Sequence, residues 1–208
     1  MKLAVFDFDS TLMDGETIEF LAKEHGIEEE IKEITKQAME GHLDFFESLT
    51  KRVAMLKGLK ESKVEDICSN LPLMPGAKET VFELKKAGYK VVCFSGGFKS
   101  ATVPAKAYLN LDAEFSNILH FKNGLMTGCV GGEMMFSTSK GTMIQTLQGL
   151  LNVSENDTLV VGDGANDLSM FKHAKTRVAF CAKEVLKREA NIIICEKNLT
   201  KILDKVLL

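Results

Sequence analysis

The sequence lacks the segments that mark membrane or secreted proteins. Its longest uninterrupted apolar run, 178–182, has only five residues, whereas a helix that crosses a bilayer needs about 20. The N-terminus enters a short apolar run at once, without the basic region, apolar stretch and cleavage site of a signal peptide. A membrane partner is therefore not expected, and we predict a cytoplasmic location.

Cysteine and histidine are too few and too scattered to form a disulfide framework or a zinc site. The five cysteines contain no Cys-x-x-Cys pair, and Cys93, Cys181 and Cys195 lie inside apolar runs. We predict that they are buried free thiols, which fits a reducing compartment. The four histidines show no metal-ligand spacing, so zinc is not expected.

The sequence also lacks an excess of basic residues over acidic ones. Lysine and arginine number 26 against 29 aspartates and glutamates, which gives a formal net charge of −3. A nucleic-acid-binding protein usually carries a basic stripe or an excess of positive charge. Here the basic residues form only dispersed pairs such as Lys85-Lys86 and Lys187-Arg188, so nucleic acid is not an expected partner.

The sequence does contain a regular alternation of short apolar runs and helical patterns. Hydrophobic residues make up 45% of the 208 positions, which is enough for the core of one domain, with or without an insertion. Apolar runs at 3–6, 90–94, 158–161, 177–180 and 191–195 are typical of strands covered on both faces. Helical patterns occupy 77–87, 99–109, 141–151, 165–172, 183–189 and 199–206. This order predicts an α/β fold with a doubly wound parallel sheet.

Two stretches interrupt the alternation. From Glu16 to about Leu71 the sequence is strand-poor and charged, with apolar residues at helical spacing, which predicts three or four inserted helices. Pro72 and Pro75-Gly76 end this insertion. Further along, Asn123-Gly124 between apolar residues predicts a β-hairpin within 118–130. We predict a core made of residues 1–14 and 73–208 and a helical domain of residues 15–72.

Two aspartates follow the first predicted strand, in the order Asp7-Phe8-Asp9-Ser10-Thr11. Alternate residues of an extended chain share a face, so Asp7 and Asp9 are predicted to point the same way. Ligands of open α/β sheets bind beyond the carboxyl ends of the strands, where this pair lies. Two carboxylates so close together are costly without a cation or a shared proton. A plain polar strand end would give the same pattern, so the ends of the other strands must show whether this pair belongs to a binding site.

Three further segments offer groups that suit a phosphate and a cation. Ser95-Gly96-Gly97-Phe98 follows a strand and precedes a helix, an arrangement typical of a phosphate cradle and also of a simple turn. Lys140 opens a helix and could offset phosphate charge, although a lone lysine is more often a solvated surface residue. The segment from Gly162 to Asp167 holds three carboxylate or amide side chains, Asp163, Asn166 and Asp167, which suit Mg2+ best.

Together the four segments resemble the haloacid dehalogenase superfamily, whose signature is Asp-x-Asp-x-Thr, then Ser or Thr, then Lys, then Gly-Asp-x-x-x-Asp. The longer match, Asp7 to Leu12 followed by Glu16, is similar to the phosphoserine phosphatase family. The resemblance covers essentially the whole chain and implies a Rossmann-type core with an inserted helical cap. It also implies hydrolysis of O-phospho-L-serine to L-serine and phosphate, the last step of serine biosynthesis.

The resemblance implies the chemical roles of three aspartates. Asp7 would be the nucleophile that forms an aspartyl-phosphate. Asp9 would protonate the serine oxygen as it leaves and then deprotonate the hydrolytic water. One Mg2+ would be held by the carboxylates of Asp7 and Asp163 and by the backbone carbonyl of Asp9.

Other motif residues would hold the phosphoryl group. Ser95, Gly96 and Lys140 would contact its oxygens, and Lys140 would also stabilise the charge of the transition state. Asn166 would bind near the phosphate. Asp167 would hold the metal ligands and Lys140 in position from a second layer of residues.

The resemblance assigns substrate recognition to the cap. Glu16 would bind the ammonium group and Arg52 the carboxylate, because the planar guanidinium can bind two oxygens. Met39 and Phe45 would form an apolar lid that excludes water. From the residues alone each has a plainer interpretation. Glu16 could be a polar residue in the first turn of a helix, Arg52 could form a surface ion pair, and Met39 and Phe45 could pack in the core.

Two other functions remain open. The same segments would serve a haloacid dehalogenase-type phosphatase or phosphotransferase that acts on another small phosphomonoester, favoured if the cap lacked the Glu16 and Arg52 pair. A non-catalytic phosphate-sensing module is the second alternative, and the presence of both Asp7 and Asp9 speaks against it. The sequence carries no signal for the oligomeric state.

Overall fold

The five apolar runs and two further strands form one seven-stranded sheet in a computed structural model, which describes residues 1–39 and 43–207 and, for residues 36–39, the backbone alone. The strands are β1 (Lys2–Asp7), β2 (Tyr89–Phe98), β3 (Ala113–Lys122), β4 (Leu125–Gly132), β5 (Thr158–Gly162), β6 (Thr176–Phe180) and β7 (Ile192–Ile194). Their order in the sheet is β4-β3-β2-β1-β5-β6-β7, which places β1 at the centre. The predicted α/β class is confirmed.

The central strands are buried on both faces of the sheet. Along β1, Ala4 and Phe6 belong to one hydrophobic core and Leu3 and Val5 to the other, and all four are fully buried. The first core includes residues of α5 (Ala77–Lys86) and α6 (Lys99–Leu109), and the second includes residues of α7 (Ser139–Leu151) and α8 (Leu168–Phe171). Burial on both faces explains why these strands are near-continuous apolar runs.

The strand β4 comes from the predicted hairpin and runs antiparallel to β3. Asn123 and Gly124 have φ values of 53° and 73°, and a type I′ turn needs both central residues in this left-handed region. The other neighbouring pairs of strands are parallel. The predicted doubly wound, mainly parallel sheet and the hairpin predicted within 118–130 are therefore both confirmed, since a two-residue turn joins antiparallel strands.

The described residues between β1 and α5, where the sequence is strand-poor, form four α-helices: α1 (Thr17–His25), α2 (Glu28–Met39), α3 (Phe45–Met55) and α4 (Glu61–Ser69). Their buried residues, among them Leu21, Ile31 and Val53, join the first hydrophobic core. Asp44 caps α3, since its carboxylate accepts a hydrogen bond from the N–H of Glu47 at 2.7 Å. We call these four helices the cap.

Backbone hydrogen bonds link the cap, or the segments that enter and leave it, to the rest of the chain, and two places stand out. At the first, the N–H of Asp14 donates to the carbonyl of Pro72 and the N–H of Met74 donates to that of Leu12, both at 2.9 Å. The second lies between α3 and α4, where residues 58–61 make three backbone hydrogen bonds to residues 124–126, at 2.8–2.9 Å. The predicted division of the chain at residues 14–15 and 72–73 stays a prediction.

Two predicted helices near the C-terminus begin with a turn of 3₁₀-helix. The turn Ala165–Asp167 precedes α8, and the turn Leu199–Ile202 precedes α10 (Leu203–Val206). Between them lies α9 (Glu184–Lys187). Among the described residues, no helix is long and apolar enough to span a bilayer.

All five cysteines are free thiols. Cys68 and Cys93 are buried and Cys181 is half-buried, but Cys129 and Cys195 are exposed. The prediction of buried thiols is therefore wrong for the last two. Cys129 lies on the edge strand β4, and Cys195 lies just beyond the end of β7, so neither is covered on both sides.

Candidate active site

The motif segments meet at the carboxyl ends of three neighbouring strands. Asp7 ends β1, Ser95 lies near the end of β2, and Asp163 follows β5. These strands are adjacent at the centre of the sheet and run parallel. Their side chains therefore converge on one edge of the sheet, the usual position of ligand sites in such folds.

Asp7 is buried and held by three hydrogen-bond donors. Its Oδ1 accepts from the N–H of Phe8 and lies near Nζ of Lys140, each at 2.7 Å. Its Oδ2 accepts from Nδ2 of Asn166 at 3.2 Å. Burial, and then the neighbouring carboxylate of Asp167, raise the pKa of Asp7 well above its usual range.

Lys140 lies between two carboxylates. Its Nζ is 2.7 Å from Oδ1 of Asp7 and 2.6 Å from Oδ1 of Asp167. Burial alone would lower the pKa of Lys140, but Asp167 and Asp7 raise it above its ordinary value, which keeps the ammonium charged. Because Lys140 is only 3% exposed, the interpretation as a solvated surface lysine is wrong.

Three carboxylates form a cluster with the geometry of a cation site. One oxygen each of Asp7, Asp163 and Asp167 lies within 4.8 Å of the others. Burial, and then the charge of Asp167, raise the pKa of Asp163 to about 7. A divalent cation would relieve this repulsion, and carboxylate oxygens are ligands that Mg2+ prefers. The cluster therefore fits Mg2+.

The loop after β5 folds tightly around Asp167, which is fully buried. Oδ2 of Asp167 accepts from the N–H groups of Asp163 and Gly164 at 3.0 and 3.1 Å. A Cβ at Gly162 would clash with this same oxygen, so a larger residue would push the carboxylate away. The glycine thus permits Asp167 to support both Asp163 and Lys140.

Asp9 reaches the site through a turn rather than along an extended strand. The strand β1 ends at Asp7, and Phe8–Leu12 form a tight turn in which Ser10 adopts a left-handed φ of 57°. The prediction that Asp7 and Asp9 share the face of an extended chain is therefore wrong, although Phe8 is fully buried as expected.

The carboxylate of Asp9 is held by the first residue of the cap. Its Oδ1 accepts from the N–H and from the hydroxyl of Thr17 at 2.7 and 2.6 Å. Its Oδ2 accepts a longer bond, 3.4 Å, from the hydroxyl of Ser95. Burial raises the pKa of Asp9 although these hydrogen bonds oppose the shift. A raised pKa suits a group that must carry a proton near neutral pH.

The glycines after Ser95 allow close approach from two sides. Ser95 is fully buried, and its hydroxyl oxygen accepts from the N–H of Gly97 at 2.8 Å. A Cβ at Gly97 would lie 2.7 Å from Oδ2 of Asp9, and one at Gly96 would lie 2.7 Å from the ring of Phe45. The segment Ser95–Gly97, called here the glycine turn, is therefore covered by the cap through Phe45.

The cap and the residue just before it bring two ionisable side chains to the site. Oε1 of Glu16 accepts from the hydroxyl of Ser10 at 2.7 Å. Burial, and then the charge of Asp9, raise the pKa of Glu16 to about 8. Arg52 lies on α3, where burial lowers the pKa of its guanidinium and the carboxylate of Glu16 is the largest opposing influence. Met39 ends α2, and its side chain lies outside the described residues.

The sequence motifs did not single out two residues that take part in the site. Thr17 directly follows Glu16 and begins α1, so its position at a helix start was the only available signal. Ser10 stands inside the Asp7–Thr11 motif, but its contact with Glu16 depends on the turn that brings them together.

The chain matches one family model and many known proteins. A model of hydrolases, the haloacid dehalogenase-like hydrolases, matches residues 1–175. The phosphoserine phosphatase of Wolinella succinogenes is 65% identical over 203 residues, which cover 98% of this chain and 98% of that protein. The phosphoserine phosphatase of Methanocaldococcus jannaschii is 48% identical over 202 residues, 97% of this chain and 96% of that protein.

A solved structure extends the likeness to three dimensions. The structure of a phospho-aspartyl intermediate analogue of phosphoserine phosphatase matches with a TM-score of 0.94 and 47% identity. The match covers 99% of this chain and 98% of the other. It therefore includes the cap as well as the sheet.

Proposed function

Because this chain belongs to the phosphoserine phosphatases of the haloacid dehalogenase-like hydrolases, we propose that it hydrolyses O-phospho-L-serine to L-serine and phosphate, with Mg2+ and through an aspartyl-phosphate on Asp7. Members of this family are phosphoric monoester hydrolases, and so is this protein. The position of Asp7 carries the mechanism: a buried carboxylate between Lys140 and Asn166, with a second carboxylate, Asp9, two residues further on.

In the proposed first step, Asp7 attacks the phosphorus. A bond forms between a carboxylate oxygen and phosphorus, while the bond between phosphorus and the serine oxygen breaks. Asp9 gives its proton to that serine oxygen, so serine leaves as the neutral alcohol. The hydrogen bonds from Thr17 to Oδ1 of Asp9 hold this carboxyl in place.

In the proposed second step, water attacks the aspartyl-phosphate. Asp9, now ionised, takes a proton from the water as its oxygen bonds to phosphorus, and the bond to Asp7 breaks. Orthophosphate leaves, and both carboxyl groups return to their starting states. The raised pKa of Asp9 supports this double role, since the group must both give and take a proton.

The phosphoryl oxygens are proposed to bind Ser95, Gly96, Lys140 and Asn166. Lys140 supplies fixed positive charge, because its two carboxylate partners keep it ionised. The carboxylates of Asp7 and Asp163 and the carbonyl of Asp9 would hold Mg2+, with Asp167 behind them. When bound, the ion shields the approaching anions and orients the phosphate for in-line attack.

The cap is proposed to select the amino acid. Glu16 would bind the ammonium group and Arg52 the carboxylate, while Phe45 and Met39 would close the pocket against water. The ring of Phe45 over the glycine turn supports this placement of the cap. A role in serine biosynthesis and a cytoplasmic location complete the proposal, and the free cysteines fit a reducing compartment.

A phosphate-release panel tests the substrate. With Mg2+ present, we expect L-phosphoserine to give the highest kcat/KM among L-phosphoserine, D-phosphoserine, phosphothreonine, phosphoethanolamine and 4-nitrophenyl phosphate. A preference for phosphoethanolamine or for the aryl phosphate would favour a phosphatase for another small phosphomonoester. No release from any of them would favour a phosphate-binding module.

Metal replacement and rapid quenching test the mechanism. We expect EDTA to stop turnover and Mg2+ to restore it. Ca2+ should inhibit, because its larger and looser coordination would let both oxygens of Asp7 bind the metal. Acid quenching during turnover should leave phosphate on the peptide that contains Asp7, detected by mass spectrometry. Turnover with Ca2+ as fast as with Mg2+ would refute the metal assignment.

A further inference from the structure

The glycine turn is a break in the sheet. The strands β2 and β3 are in register at Phe94 and Phe115, and the register resumes at Phe98 and Asn117. Three residues of β2, the glycine turn itself, thus face a single residue of β3. A bulge of this kind interrupts the regular ladder of hydrogen bonds. The segment proposed to hold the phosphate therefore needs support from outside the ladder.

The side chain of Asn117 supplies that support. Asn117 is fully buried, and its Nδ2 donates to the carbonyl oxygens of Gly96 and Met134, both at 3.1 Å. Its Oδ1 accepts from the N–H of Met134 at 2.9 Å. Both amide hydrogens and the carbonyl oxygen are thus used, so the carboxamide has one fixed orientation.

The neighbouring strand is built to admit Asn117. Gly132 lies opposite Asn117 in β4, and a Cβ at Gly132 would lie 2.7 Å from the Cα of Asn117 and 2.9 Å from its Oδ1. Gly132 also has a φ of 144°, a conformation that favours glycine. A side chain at this position would displace the carboxamide.

Met134, the second hydrogen-bond partner of Asn117, lies in the loop that precedes the helix carrying Lys140. This loop connects β4 to α7, and α7 carries Lys140 in its first turn. The end of this loop is fixed to the helix, because the N–H of Phe136 donates to the hydroxyl of Ser139 at 3.1 Å. One buried carboxamide therefore connects the glycine turn to the segment that presents Lys140.

We propose that Asn117 is a positioning residue for phosphate binding, which sets the spacing between the glycine turn and Lys140. A phosphate held by both segments needs donors on two sides at once, and charge-assisted hydrogen bonds are short and geometrically strict. Asn117 touches none of the reacting atoms. The inference rests on the proposed function only in taking Ser95, Gly96 and Lys140 as the groups that bind the phosphoryl oxygens.

The test is Asn117→Ala, with orthophosphate as the probe. We expect the affinity for orthophosphate, measured by calorimetry with Mg2+ and by product inhibition, to fall about ten-fold. This is the effect of losing one hydrogen bond between the protein and the phosphate. The values of kcat/KM for L-phosphoserine, phosphoethanolamine and 4-nitrophenyl phosphate should fall by a common factor, because the three share only the phosphoryl group.

Asn191 offers a matched control at the far edge of the sheet. Its Nδ2 donates to the carbonyl of Lys175 at 2.6 Å, and its Oδ1 accepts from the N–H of Arg177 at 2.9 Å. Asn191→Ala removes the same kind of bridge between backbone segments. We expect it to lower the unfolding temperature and to leave the affinity for orthophosphate unchanged.

A second variant covers the case in which Asn117→Ala does not fold. Asn117→Asp keeps the size and the acceptor for Met134 but loses the amide donor, so its affinity for orthophosphate should fall as well. Wild-type affinity in a folded Asn117 variant, or unequal losses among the three substrates, would overturn the inference. If the wild type cleaves another phosphomonoester but not L-phosphoserine, the proposed substrate fails, while the orthophosphate comparison still decides on Asn117.

Discussion

The sheet side and the cap side of the site hold their charges in different ways. On the sheet side, Lys140 lies within 2.7 Å of two carboxylates, and Asp167 also accepts two backbone hydrogen bonds. On the cap side, Arg52 donates to the carbonyl of Ser48 at 3.2 Å and to the hydroxyl of Thr35 at 3.4 Å. Within the described parts of the chain, no carboxylate forms an ion pair with Arg52.

Under the proposed function, this difference separates the residues that carry out the reaction from those that select the substrate. The sheet side holds Lys140 between two carboxylates, which suits a step common to all phosphomonoesters. Under the proposed function, the cap side leaves the carboxyl group of Glu16 and the guanidinium of Arg52 to contact the amino acid. Substitutions on the two sides should therefore fail in different ways, and substitutions at four positions test this.

The largest effect is expected from the sheet side, at Asp7. Asp7→Asn should lower kcat by several orders of magnitude on every substrate of the panel, because an amide is no nucleophile. Steady-state phosphate release measures it, with circular dichroism to show that the variant is folded. Asp204→Asn, at an exposed position of α10, should retain full activity. Activity of Asp7→Asn above about one percent of wild type, with deamidation excluded, contradicts the covalent mechanism.

Arg52→Ala should lower the activity on one substrate much more than on another and should not abolish activity altogether. Loss of a charge-assisted bidentate contact in a closed pocket costs about 2–4 kcal/mol, roughly a 30- to 800-fold drop in kcat/KM for L-phosphoserine. Phosphoethanolamine has no carboxylate, so its low kcat/KM should hardly change.

The comparison of both substrates with both proteins separates a specific loss from general damage. Arg52→Lys keeps the charge but not the planar fork, and we expect an intermediate loss on L-phosphoserine. Equal losses on the two substrates would remove Arg52 from the binding site.

Thr17 lies where the two sides meet, since it belongs to the cap and holds Asp9. Thr17→Val removes the hydroxyl donor and keeps the backbone one, so kcat/KM for L-phosphoserine should fall about five- to ten-fold. 4-Nitrophenyl phosphate needs little protonation of its leaving group and should lose less. Thr17→Ser should restore the wild-type ratio. A similar loss on both substrates would show that the hydroxyl serves packing alone.

The last prediction concerns the pH dependence of stability and not the activity. Burial raises the pKa of Glu16 from 4.5 to about 8, so the folded protein binds this proton more tightly than the unfolded chain does. The free energy of unfolding should therefore fall as pH rises from 4.5 towards about 8, and Asp163 should add to the same slope.

Glu16→Gln should make the free energy of unfolding less dependent on pH, because the contribution of the Glu16 carboxyl group is removed. Urea denaturation of the metal-free protein across this pH range measures it. Identical slopes for the variant and the wild type would show that Glu16 is ionised in the folded protein.

The central strands could be predicted because burial on both faces leaves a plain signal in the sequence. The first half of β3 gave no such signal, since polar residues interrupt it. Glu114 accepts hydrogen bonds from the hydroxyls of Thr102 and Ser116 at 2.7 and 2.8 Å. This buried polar network satisfies those groups through tertiary contacts, which the spacing of residues along one segment does not reveal.

The motif residues at the strand ends could be named from spacing because the topology of a parallel sheet brings such ends together. Thr17 and Asn117 could not, because their roles depend on contacts between distant segments. The left-handed conformation of Ser10 was equally hidden. Motif spacing thus identified groups suited to the chemistry, and only the structure identified the residues that hold them in place.

The hydrogen bonds between the cap and the hairpin are expected to limit association through the edge of the sheet. An outer strand with free N–H and carbonyl groups is a template for pairing with another chain. In β4, the N–H of Met126 donates to the carbonyl of Leu59, and its own carbonyl accepts from the N–H of Gly58. The opposite edge, β7, has only three residues. The cap therefore covers the one long edge of the sheet at this point, and loosening it would expose a surface prone to aggregation.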